Sequence, residues 1–82
     1  MISLTVTNGA SGLGKTSVVD ENLTVNNIID DPEYANYLVG QQIMFNGAFI
    51  VGSDLNKPLR DIGCNMDGRN VLSSIKPAAG AL

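Results

Sequence analysis

Apolar Ile2, Leu4 and Val6 alternate with polar Ser3, Thr5 and Thr7, the period of two expected of a strand buried on one face. Three glycines, Gly9, Gly12 and Gly14, come soon after and supply the positive backbone angles of a loop. The run K-T-S-V-V-D from Lys15 is rich in β-branched residues, so it is predicted to return as the antiparallel partner of the first strand. Thr24 then stands before Val25, Ile28 and Ile29, an i, i+3, i+4 stripe with a threonine cap. Asp31-Pro32 reads as a second cap followed by proline at the first helical position, with Tyr34, Ala35, Leu38 and Val39 carrying the apolar face as far as Gly40. A helix bent or broken near Pro32 is therefore expected.

Farther along, I-M-F and A-F-I-V flank Asn46-Gly47, the strongest short signal for a β-hairpin. Residues 53–67 lack a period; Leu55, Leu59 and Ile62 are expected to plug the core beneath a long loop, and Pro58 excludes a central strand there. Val71, Ser73 and Ile75 face one way in a last strand, ahead of Pro77 and the tail A-A-G-A-L. With no repeat and no linker, residues 1–76 read as one domain and 77–82 as a small-residue tail.

Composition narrows the chemistry. Hydrophobic residues make up 44% of the 82 and charged residues 16%, so the chain has the apolar content to fold. A net charge of −3 with no Lys/Arg run argues against nucleic acid and against an anionic membrane as partners. No apolar run approaches the ~20 residues of a membrane span and none comes after a basic start, so a cytoplasmic protein is expected. Histidine is absent and Cys64 is the single cysteine, which removes Ser-His-Asp and Cys-His catalysis and His-containing zinc sites. Asp31 is explained as a cap and Asp54, Asp61 and Asp67 lack the spacing of a calcium loop. The expectation is a protein with no catalytic residues, no cofactor and no metal. Cys64 is read as a small buried hydrophobe in preference to a reactive thiol.

Several short segments carry a family resemblance: Gly14-Lys15-Thr16 opening the second strand, Thr24-Val25 opening the helix, Ile43-Met44-Phe45-Asn46-Gly47, and Pro58-Leu59-Arg60-Asp61 before the last strand. In these the chain resembles ubiquitin and its relatives, and, through the helix start and the Asn-Gly hairpin, the bacterial sulfur carriers of thiamine and molybdopterin synthesis. The resemblance implies an α+β fold, the ubiquitin-like β-grasp roll: a mixed four- or five-stranded sheet, its last strand parallel to its first, crossed by one helix bent near Pro32. It further implies an apolar interaction patch at Leu13, Met44 and a last-strand member, Leu72 or Ser74. Those families end in Gly-Gly, whose carboxylate an activating enzyme adenylates; this chain ends Ala79-Gly80-Ala81-Leu82. Gly80 becomes a conjugation terminus only if Ala81 and Leu82 are trimmed.

Gly9-Ala10-Ser11-Gly12-Leu13-Gly14-Lys15-Thr16 also satisfies the phosphate-loop pattern G-x-x-x-x-G-K-[ST]. That loop works because a helix starts at its Lys-Thr and offers free N–H groups to phosphate. Here Thr16 is succeeded by S-V-V-D-E-N-L, rich in β-branched residues and without a helix start, so a hairpin loop is expected. Three readings result. The first is a non-enzymatic module that binds other proteins, as a subunit of a larger assembly. The second is a modifier or sulfur carrier activated at Gly80, with an activating enzyme as partner. The third is a nucleotide-binding domain using Gly9 to Thr16.

Overall fold

A computed structural model describes residues 1–9, 11–38 and 42–75. It is a small α+β protein: β1 (Ile2–Asn8), β2 (Gly14–Val19), α1 (Val25–Asp30), α2 (Pro32–Ala35), β3 (Gln42–Phe45), β4 (Ala48–Ile50) and β5 (Arg69–Ile75). Two 3-10 turns, Gly52–Asn56 and Leu59–Asp61, lie in the long connection before β5. The strands form one mixed sheet in the order β2-β1-β5-β3-β4, in which β1 and β5 run parallel and the other neighbours antiparallel.

Each turn has a local cause. Asn8 donates its N–H to Leu13 O and accepts from Gly12 N–H, and Gly12 has φ +75°, so the β1–β2 loop closes on a glycine bulge. Gly9 donates to Ser74 O at 2.8 Å, and a Cβ there would fall 2.5 Å from that same oxygen; only glycine lets the chain leave β1 against β5. Asn46 (φ +51°) and Gly47 (φ +87°) make the two-residue turn that the Asn-Gly pair predicts.

The helical segment divides where proline requires. Thr24 Oγ1 accepts the Asn27 N–H while Asn27 Oδ1 accepts the Thr24 N–H, a reciprocal cap that starts α1. Asp31 closes α1 and its Oδ1 accepts the Glu33 N–H to open α2, with Pro32 at the first position. The expected bend is thus a break between two short helices. Val39, Gly40 and the expected tail at 77–82 lie outside the described residues.

The core forms where inward strand positions meet α1 and the loop. Leu4, Val6, Val25, Ile28, Phe45, Leu59 and Leu72 are each almost wholly inaccessible, and such burial stabilises by about 1.5–3 kcal/mol per large side chain. Leu59 is pinned by its N–H to Leu23 O at 2.8 Å, so the long loop does supply a core plug; Leu55 and Ile62 pack partly buried beside it. Among the described residues no helix is long and apolar enough to cross a membrane.

Candidate functional site

Alternation along the strands sorts side chains onto two faces. Ile2, Leu4 and Val6 of β1, Asn70, Leu72 and Ser74 of β5, and Phe45 of β3 point to the core. Ser3, Thr5 and Thr7, with Arg69, Val71, Ser73 and Ile75, occupy the other face. None of the five strands contains an acidic residue, so all eight acidic residues lie in turns, helices and loops. The outer face of these strands is consequently free of acidic groups: it is polar over β1, carries Arg69 at the start of β5 and Gln42 at the start of β3, and is apolar at Val71, Met44 and Phe49.

Met44 sits on this outer face, opposite Ser73 of β5 on one side and Phe49 of β4 on the other. Phe49 is 56% exposed, Val71 40% and Leu13, at the end of the β1–β2 loop, 66%. The expectation for Leu72 is overturned: it is 0% exposed, in the core. Ser74 is buried too, its hydroxyl donating to Tyr37 O at 2.9 Å. The register puts Val71 and Ser73 on the surface instead. Phe49 and Val71 escaped sequence reasoning, although the two-residue Asn46-Gly47 turn already fixes Phe49 opposite Met44.

Asn70 is the polar centre of the inner side. It is 0% exposed, and its Oδ1 accepts from Asn65 N–H (2.6 Å) and Asn46 Nδ2 (2.9 Å). Its Nδ2 donates to Ser3 O (3.1 Å) and Asn65 O (2.9 Å). Asn46 itself donates to Gly63 O and accepts the Val71 N–H. One buried amide therefore ties the β3–β4 turn, the long loop and the start of β1 together, with both ends of its side chain satisfied.

The phosphate-loop pattern resolves into the end of β1, the bulged loop and the start of β2. No helix begins at Lys15-Thr16; Lys15 pairs with Val6 across the strands. Its ammonium is ion-paired with Glu33 and stands 6.0 Å from the centre of the Tyr34 ring, whose hydroxyl meets Ser17 Oγ at 2.6 Å. The lysine is thus drawn toward α2, and the ring of helix N–H groups that holds phosphate is not formed.

Among the described residues no three of His, Cys, Asp and Glu gather closely enough to hold a metal ion. Cys64 is partly buried, and burial pushes its thiol above the ordinary value. The Met1 ammonium lies 2.6 Å from Glu21 Oε2; it holds that carboxyl below the ordinary carboxylate range, and the carboxylate raises the ammonium in turn. An open groove of about 340 Å³ beside β4 is lined by Ile29, Ile43, Phe49, Ile50, Val51 and Leu55, with Gln42 as its one polar side chain and no ionisable group. Gly80 lies outside the described residues. No protein-family profile matches the chain, and no curated protein sequence matches it.

Proposed function

We propose that the protein is a ubiquitin-like β-grasp module, without catalytic chemistry of its own, that binds another protein through the outer face of its sheet. The sheet order, with first and last strands parallel at the centre, supports the β-grasp assignment. The observation that carries the binding site is the uncharged apolar cluster of Met44, Phe49 and Val71 on a protein whose acidic residues all lie off the strands. Aromatic and methionine side chains are enriched in the cores of protein interfaces while acidic ones are depleted. Methionine at the cluster's centre adapts to a partner's shape.

A photo-crosslinking residue placed at position 49 in cells tests this. It is expected to capture a discrete partner, and Met44→Lys is expected to abolish the adduct while leaving the thermal unfolding curve in place. The same crosslinker at position 22, in the turn after β2, serves as the reference. Equal adducts from both positions, or adducts indifferent to Met44→Lys, would refute the assignment.

A further inference from the structure

Both ends of the sheet are edge strands, β2 and β4, and they differ. β4 has three residues, whereas β2 has six and carries Val18 at 66% exposure. Hydrogen bonding alternates along an antiparallel pair, so the Asn8–Leu13 bond at the loop fixes which β2 residues bond to β1. Lys15, Ser17 and Val19 are those residues. The N–H and C=O groups of Gly14, Thr16 and Val18 point off the sheet.

Exposed edges are usually defended by proline, by an unpaired charge or by a bulge within the strand. β2, G-K-T-S-V-V, has no proline, and its single charge is neutralised within the molecule by Glu33. We infer that β2 is a self-pairing edge: two copies join β2 to β2 antiparallel, around a two-fold axis at Ser17, into one continuous ten-stranded sheet. This edge is separated from Met44 by β1 and β5, and the inference stands independently of that reading.

The register is set by parity and by charge. Only outward-pointing residues can bond across the seam, which leaves two registers that each overlap five of the six β2 residues. One centred on Thr16 would bring the two Lys15 residues within two positions, about 7 Å at ~3.3 Å per residue. The one centred on Ser17 sets Thr16 against Val18 of the second copy and keeps the lysines apart. Because the contact is isologous, the same pair recurs on the other side of the axis. Four backbone hydrogen bonds form, and two β-branched pairs pack side by side on the outer face. Charge permits it. Lys15 faces Val19 of the second copy, and Asp20, just past the strand, faces Gly14, which has no side chain. The two lysines are four residues out of register, about 13 Å apart at ~3.3 Å per residue.

The seam is short, about 20 Å for six residues. It falls well below the roughly 1,200–2,000 Å² of total surface that stable complexes bury. Association is therefore expected to be weak, with a Kd on the order of 0.1–1 mM. A second copy suits such an edge because its Thr16 and Val18 present outward groups at the same spacing, with no charge opposed to a like charge across the seam.

Sedimentation equilibrium of the full chain, from about 20 μM to about 2 mM, brackets that range. A sample mixing isotope-labelled and unlabelled copies is expected to show an intermolecular Hα–Hα contact at Ser17. Val18→Pro removes only an outward N–H, which edge strands tolerate, and is expected to weaken association at least about tenfold with the fold retained. Should that variant unfold, Val18→Lys, which places a charge on the edge, is expected to do the same. A monomer at the top concentration, or association unchanged by a folded Val18 variant, would overturn the inference. Association lost in Phe49→Ser and kept in Val18→Lys would overturn it as well, by placing the contact on the outer face.

Discussion

Asn70→Asp changes one atom in the buried amide and tests whether that amide organises the loop. The acceptor side is conserved: Asn65 N–H and Asn46 Nδ2 would still meet an oxygen. The donor side is lost, leaving Ser3 O and Asn65 O, both within 3.1 Å, facing a carboxylate oxygen. Each buried carbonyl deprived of its donor costs about 1–3 kcal/mol. The expected loss is about 3–5 kcal/mol at pH 7, against a total of about 4–12 kcal/mol for a chain of this size. The site also fixes the sign with pH. Burial and two facing carbonyls raise the new carboxyl's pKa in the folded state above its unfolded value of about 3.9. The folded protein then holds the proton more tightly, and a protonated carboxyl restores one donor. Stability relative to the parent should therefore be highest below pH ~4 and fall by up to ~1.4 kcal/mol per pH unit until the folded pKa is passed. Urea unfolding at several pH values measures this directly. A loss under about 1 kcal/mol at pH 7, or one independent of pH, would refute the view that Asn70 is a fully engaged, buried hinge of the loop.

Other consequences are simpler to test. Leu72→Ala should cost about 2–5 kcal/mol in urea unfolding because it empties the core, whereas Phe49→Ser on the exposed face should cost within about 1 kcal/mol. The Met1–Glu21 ion pair should stabilise only in a window. The lowered carboxyl contributes fully above the ordinary carboxylate range and fades as pH falls through its lowered value. The raised ammonium contributes fully below the ordinary amine value and fades as pH rises through its raised one. Acetylating the amine should therefore lower Tm most near pH ~6 and have no effect at either extreme. Cys64, its thiol raised by burial, should react with iodoacetamide several-fold more slowly than free cysteine at pH ~8, and mass spectrometry should show the rates converge in urea.

The elements were legible where one short-range rule decided the outcome. Ile2, Leu4 and Val6 against three polar neighbours admit only a half-buried strand, and Asp31-Pro32 admits a new helix start but no continuous helix. The patch was less legible because alternation yields two sets of positions without saying which faces inward. In β5 the set Val71, Ser73 and Ile75 is the more apolar, yet the core receives Asn70, Leu72 and Ser74. That choice depends on partners remote in sequence: Ser3, Asn46 and Asn65 satisfy the asparagine, and Tyr37 accepts from the serine. A buried polar group is tolerated only when such partners are in place, and no local pattern in residues 69–75 announces them. Phe49 differs, since the two-residue turn fixes its position opposite Met44 once the hairpin is recognised.

The phosphate-loop syntax shows why a motif needs its structural setting. Its glycines are all accounted for by the hairpin. Gly9 permits the approach to Ser74 and Gly12 forms the bulge, while Gly14 opens β2 with Thr7 packed against it. Its lysine serves a different contact. With Lys15 on a strand, the side chain leaves the sheet toward α2, where Glu33 and Tyr34 receive it, and the backbone groups beyond it alternate between β1 and the open edge. A phosphate requires several N–H groups converging on one point, which a helix start provides and a strand cannot. The same alternation that disperses those donors leaves every second one on β2 without a partner among the described residues, at an even spacing. A row of that spacing complements another strand, so the chemistry left open by residues 14–19 is backbone pairing and the ligand it suits is a protein edge.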